Sequence, residues 1–236
     1  MKKFAVFDID GTLIRWQLYH AVVNALVKRG HFGPVAAKEI SAARMAWKQR
    51  ESVESFKAYE HILIDANDRV IEGLPVPTFL KAVDEVFEEY KDQVYVYTRE
   101  LIRSLRKDGY YLLAISGSQI EAVEKVARYY GFDDFIGTIY ERRNGCYTAV
   151  KQVLSHDKRA VLLELIAKHN LTTKDSVAVG DTASDIPMLQ LAERAIAFNP
   201  ERQLFDIAKE NGWEVVLERK NVIYELTKHA GAYQLK

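Results

Sequence analysis

Lys2-Lys3-Phe4-Ala5-Val6-Phe7-Asp8-Ile9-Asp10-Gly11-Thr12-Leu13 runs from an almost wholly apolar segment straight into two carboxylates two positions apart, followed by a glycine. A short run rich in Val and Phe reads as a buried strand of a parallel sheet, and such strands do not hold acids unless something compensates the charge. Asp8 and Asp10 therefore lie at the strand's end or face a cation.

Outward from this stretch the texture changes. From Trp16 to about Tyr90 the pattern is helical: Leu18, Val22, Ala25 and Leu26 recur at three-to-four spacing, as do Ala36, Ile40, Ala43 and Trp47, then Phe56, Tyr59 and Leu63. Later segments alternate. A helix through Leu101 and Leu105 ends at Gly109, and a strand covers Tyr110 to Ile115. A helix covers Glu121 to Tyr130, and a strand pair brackets Asn144-Gly145. A helix then runs from about Lys158 to His169, followed by a buried strand at Ser176 to Val179. Such alternation builds an α/β fold with a doubly wound, Rossmann-like parallel sheet. The helical block is then an all-helical insertion after the first strand. The expected division is a core of residues 1–14 and 95–236 and a cap of residues 15–94.

Composition excludes several classes. The chain has 236 residues, 48% hydrophobic, with 33 acidic and 33 basic side chains, so no charge excess points to nucleic acid or an anionic membrane. The one cysteine, Cys146, excludes an internal disulfide or a thiolate zinc cluster, and the six histidines show no close metal-ligand spacing. His20, His61 and His169 read as helix-face residues. With no signal-like N-terminus and no run long enough to span a bilayer, a cytoplasmic protein is expected.

In doubly wound sheets ligands gather beyond the carboxyl ends of the strands. Three clusters sit at such ends: Asp8-Ile9-Asp10-Gly11-Thr12, Ser116-Gly117-Ser118, and Gly180-Asp181-Thr182-Ala183-Ser184-Asp185. All three make sense if the ligand is a phosphate ester held with a divalent cation. Asp8 and Asp181 offer the hard oxygens that Mg2+ takes. Ser116, read as preceding a helix, offers a hydroxyl and following N–H groups to phosphate oxygens. Lys158 can neutralise phosphate charge and restrain a nucleophile, with Lys151 and Arg159 as nearby rivals.

These residues resemble, in order, the four motifs of the haloacid dehalogenase-like phosphohydrolases: Asp8 to Thr12, Ser116, Lys158, and Gly180-Asp181 with Asp185. The helical insertion looks like the small cap of the phosphoserine phosphatase-like branch. The resemblance implies a Mg2+-dependent phosphatase acting on a small phosphate ester. Asp8 would attack phosphorus to form an aspartyl-phosphate, and Asp10 would protonate the leaving oxygen and then activate water. It also implies a phosphate site of Thr12, Ser116, Gly117 and Lys158 and a metal site of Asp8, Asp10, Asp181 and Asp185. A phosphotransferase or phosphomutase would use the same chemistry, and a non-catalytic binding module would be expected to have lost a motif.

Two positions depart from that branch. Phosphoserine phosphatases bind the substrate's amino group with an acid seven residues after the second aspartate, where this chain has Gln17, and Ser184 stands where those relatives usually have asparagine. Loss of one charge-assisted contact is worth roughly 1.5–3 kcal/mol. The expected substrate is therefore a small organic phosphate other than phosphoserine, which itself remains an alternative. Gln17 and a cap arginine, Arg44 or Arg50, or a cap aromatic residue would read the non-phosphate part. The aromatic stripe Trp16, Tyr19, Phe56 and Tyr59 is expected mainly in the cap core.

Overall fold

Alternation along the first strand divides the molecule into layers. In the computed structural model, which describes residues 1–236 apart from Val53 and Ala230, β1 (Lys2–Phe7) sends Phe4 and Val6 to one face of a sheet and Ala5 and Phe7 to the other. Helices α1 (Leu18–Lys28), α2 (Pro34–Lys48), α3 (Ser55–Ile71) and α4 (Val76–Tyr90) follow, and α5 (Val96–Lys107) leads back to the sheet. Then come β2 (Tyr111–Gln119), α6 (Ile120–Tyr130), β3 (Asp134–Arg143), β4 (Cys146–Gln152), α7 (Lys158–Lys168) and β5 (Leu171–Gly180). The chain finishes with α8 (Ile186–Leu189), β6 (Arg194–Phe198), α9 (Arg202–Asn211), β7 (Glu214–Arg219), β8 (Val222–His229) and β9 (Ala232–Leu235).

The strands form one sheet in the order β4-β3-β2-β1-β5-β6-β7-β8-β9. Strands β3 to β7 in that order are parallel through β1, while β4, β8 and β9 join antiparallel at the edges. β1 pairs with β2 on one side and β5 on the other, Phe7 standing opposite both Ala114 and Val179. The strand order reverses there, and the crevice beyond such a switch point is where ligands bind. Asp8 and Asp10 emerge into it.

The doubly wound core with an inserted helical cap is therefore the observed architecture. One difference concerns Ser116. Its strand continues to Gln119, which pairs with Thr138 after a register break, so α6 begins at Ile120 and Ser116 lies within β2 rather than directly before a helix.

Among the described residues, backbone–backbone hydrogen bonds tie the cap to the core at two places. The chain leaves and re-enters side by side, with Arg15 N–H donating to Gln93 O at 2.9 Å and Tyr95 N–H to Leu13 O at 3.0 Å. The α3–α4 connection also continues the ladder at edge strand β4: Gly73 N–H donates to Tyr147 O, Tyr147 N–H to Leu74 O and Val76 N–H to Gly145 O, all at 2.9–3.0 Å. This covers an edge that would otherwise expose unpaired backbone groups. Phe79 of α4 meets the Tyr147 ring edge-on at 4.9 Å, and the apolar cluster on the Phe7 side of the sheet runs without a break into Val22, Tyr59, Leu63 and Val83 of the cap.

Candidate active site

Lys158 links two strand ends. Its Nζ donates to Asp8 Oδ1 at 2.7 Å, to Asp185 Oδ1 at 2.6 Å and to the Ile115 carbonyl at 3.1 Å. All three residues of this ion-pair set are buried. Of the rivals named from sequence, Arg159 is exposed and Lys151 pairs with Asp68 of the cap. Asp185 is fixed further by Asp181 N–H at 3.0 Å and Thr182 N–H at 2.9 Å, both donating to its Oδ2.

Asp181 completes the group. Carboxylate oxygens of Asp8, Asp181 and Asp185 lie within 4.8 Å of one another, an arrangement able to hold a metal ion. Gly11 makes the close approach possible: its φ is +84°, and a Cβ there would stand 2.2 Å from Asp181 Oδ2. Thr12 Oγ1 donates to Asp181 Oδ1 at 2.9 Å, so this buried hydroxyl orients a carboxylate and does not line the crevice. That differs from the phosphate contact implied for Thr12.

Charge balance in this cluster is incomplete. Three carboxylates face one ammonium, so with all ionised two negative charges lack a partner. Burial is the main cause that pushes the Asp8 carboxyl up to about 8, with Asp185 and Asp10 adding to it against the opposing pull of Lys158. Burial likewise raises Asp181 well above the usual carboxylate range, with Asp8 and Asp185 adding to it. For Lys158 burial works against the charge, but Asp185 and Asp8 outweigh it and its pKa rises, so it stays protonated. A hard divalent cation would supply the missing positive charge, and an all-oxygen donor set suits one.

Asp10 belongs to a different arrangement. Its Oδ1 accepts Leu18 N–H at 2.5 Å and its Oδ2 accepts Ser116 Oγ–H at 2.6 Å, so its carboxylate does not join the other three. Helix α1 has no side-chain cap from Gln17, and its free N–H groups are met instead by core residues: Leu18 by Asp10, and Tyr19 by Ser118 Oγ at 2.8 Å. Burial raises the Asp10 pKa, while the bonds from Ser116 and Leu18 oppose the rise. A carboxyl with its pKa raised by burial, beside the crevice, suits general acid–base work. Ser116 Oγ also accepts Ser118 N–H at 2.9 Å, which shapes the turn so that Gly117 lines the crevice.

The crevice opens into a cavity of about 550 Å³ between core and cap. Asp8, Asp10, Gly117 and Lys158 line its floor, and Gln17 lines it too. Neither cap arginine does. Arg44 faces a separate cleft with Trp16, Arg29 and Glu85, and Arg50 follows α2 at an exposed, left-handed position. The reason is helix phase, since α2 turns its inner side to Trp16 and Tyr59 through Trp47 and not to the cavity. The aromatic stripe divides: Trp16 and Tyr59 pack on Trp47, whereas Tyr19 and Phe56 line the cavity.

Sequence reasoning missed Lys57, Glu60, Tyr140 and Glu201, all of which line the cavity, as does Lys151, which it weighed only as a rival of Lys158. A signal existed for one group: Phe56, Glu60 and Ile64 recur every four residues beside the buried Tyr59–Leu63 stripe of α3, and so mark a second face. Tyr140 and Glu201 had none, since strand pairing and the β6–α9 connection alone bring them in. Among the described residues no helix is long and apolar enough to cross a membrane.

The comparisons with known proteins agree with this geometry. The model of the haloacid dehalogenase-like hydrolase family matches residues 5–190. Phosphoserine phosphatase SerB1 of Mycobacterium tuberculosis is 27% identical over 89% of this chain and 69% of its own length. Histidinol-phosphatase of Neisseria meningitidis is 26% identical over 92% of this chain and 99% of its own. A solved phospho-aspartyl intermediate analogue of phosphoserine phosphatase superposes with a TM-score of 0.61 at 20% identity, covering 93% of this chain and 94% of that one, which is a likeness of fold.

Proposed function

The chain belongs to the haloacid dehalogenase-like hydrolase family and is a phosphoric monoester hydrolase, and from that premise we propose that it hydrolyses a small organic phosphate through an aspartyl-phosphate on Asp8. The observation that carries the reading is Lys158 joined to both Asp8 and Asp185 at the floor of a cavity walled by the cap. Lys158 holds Asp8 Oδ1, which leaves the other oxygen to attack phosphorus as the ester oxygen departs. Asp10 gives its proton to that oxygen and afterwards takes one from the water that cleaves the acyl phosphate. Gly117 and Ser118, at the end of β2, receive the phosphoryl oxygens, and Lys158 screens their charge.

Asp8, Asp181 and Asp185 would hold Mg2+, which supplies the charge that neutralises phosphate oxygens and the cluster itself. Residues 15–94 act as the cap that shields the reaction from bulk water. Phosphate release from a panel of sugar phosphates, nucleotides, phosphoalcohols and phosphoserine, with Mg2+ and then with excess chelator, tests the proposal. Turnover of at least one ester, abolished by chelation and restored by Mg2+, is expected. No release from any ester, or turnover that survives exhaustive chelation, would overturn it, and faster reaction in added alcohol with phosphoryl transfer to that alcohol would assign the chain as a transferase.

A further inference from the structure

One carboxylate lining the cavity makes no hydrogen bond to a described residue. Four carboxylate residues line it, and three are engaged: Asp8 by Lys158, Asp10 by Leu18 and Ser116, and Glu201 by Ala183 N–H at 2.7 Å. Glu60 of α3 has no hydrogen bond to any described residue, and its side chain is 36% exposed, facing the cavity. Its carboxylate stands 3.6 Å from His20 Nε2, an ion-pair distance if that ring is protonated but beyond hydrogen-bond reach. His20 itself is buried among aromatic rings, with centroids of Phe56 at 5.6 Å, Tyr59 at 5.2 Å and Tyr19 at 6.5 Å.

We infer that Glu60 binds a cationic nitrogen on the organic part of the substrate, an inference that rests on the phosphatase reading above. The physical case has three parts. An ammonium or similar group gives a carboxylate that no hydrogen bond holds a charge-assisted bond. Phe56 and Tyr19, which line the same cavity, are aromatic rings, a residue type whose π systems favour cations over neutral groups. Gln17, neutral and in the same lining, adds an amide oxygen as a further acceptor without the charge that phosphoserine binding uses at that position. The anion thus comes from the cap's third helix. Lys57, one turn earlier on α3, is exposed at the mouth, where water screens it.

Binding decides the inference separately from turnover. On an Asp8→Asn background, which retains ligands uncleaved, dissociation constants for 4-aminobutyl phosphate and 4-hydroxybutyl phosphate in Mg2+ are measured by calorimetry. The amine should bind about tenfold tighter or more. Adding Glu60→Gln should bring the ratio to within twofold, and Glu60→Lys should shift preference to 3-carboxypropyl phosphate, with thermal melts verifying that each variant is folded. Should both variants fail to fold, the ratio on the Asp8→Asn protein and its increase in Asp8→Asn/Lys57→Ala decide. Equal binding of the two esters, or a ratio unmoved by Glu60→Gln, overturns the assignment of Glu60 whether or not the wild-type chain releases phosphate. A clear ratio with no phosphate release from any ester would keep the cation site and defeat the phosphatase reading instead.

Discussion

The floor and the roof of the cavity are built in different ways. On the floor nearly every polar group is committed: Lys158 makes three bonds, Asp185 accepts from two backbone N–H groups, and Thr12, Ser116 and Ser118 each orient a neighbour. On the roof, Glu60 and Phe56 stand in the cavity without a polar tie to the floor, although the cap beneath them is anchored by backbone bonds to β4. Preorganisation of this kind lowers the reorganisation that chemistry requires, while an uncommitted wall leaves its groups free for the ligand. On the proposed function, the difference puts reaction on the core and recognition on the cap.

Substitutions at the two surfaces should therefore behave differently. The largest effect belongs to the floor. Asp8→Asn keeps the volume but removes the nucleophile, and turnover should fall by a factor on the order of 10⁴ while the fold persists. Single-turnover assays with far-UV dichroism check both halves. Retention of a tenth of the wild-type rate would break the comparison, because the floor would then not be where the bond is made.

An intermediate effect follows from the charge imbalance. Without a cation the folded Asp8 has its pKa raised from 3.8 to about 8, above that of the unfolded chain. Between those values the fold holds a proton that the unfolded chain has released, so the contribution of Asp8 to stability declines as pH rises through this window. A divalent cation must displace that proton. Its stabilising effect is therefore smaller at pH 5.5 than at pH 8. Melting temperatures with and without 10 mM Mg2+, a roughly saturating level on this view, should differ by several degrees more at pH 8. A shift that does not depend on pH would show that the metal binds away from the buried carboxylates.

The smallest effect sharpens the comparison from the roof. Arg44 and Arg50 lie outside the cavity, so Arg44→Ala and Arg50→Ala should each leave kcat/KM within about twofold of wild type. A tenfold rise in KM with unchanged kcat for either variant would mean that the cap rearranges to bring an arginine onto the substrate.

What the sequence determined by itself was whatever depends on local order. The apolar run Phe4 to Phe7, rich in Val and Phe, placed a buried strand that ends at Asp8 and Asp10, and the following Gly11 stands where the structure brings Asp181 against the backbone. Lys158 was legible because it opens a helix after a hairpin, and its partner Asp185 because it follows Asp181 by four residues. Beyond Val179 no strand was assigned, although β6 to β9 complete the sheet, because their runs are short and β8 and β9 are largely exposed, which blurs alternation.

Tertiary structure alone decided the rest. The separation of Asp10 from the metal-holding carboxylates depends on α1 docking its N–H groups onto it, and no spacing within the first motif encodes that contact. The choice of Glu60 over Arg44 and Arg50 as the cap's charge depends on the rotation of α2 and α3 about their axes, which is set by how Trp47 and Tyr59 stack. Helical periodicity shows that a helix has an inner face, but only packing against partners distant in sequence determines which wall of which cavity that face becomes.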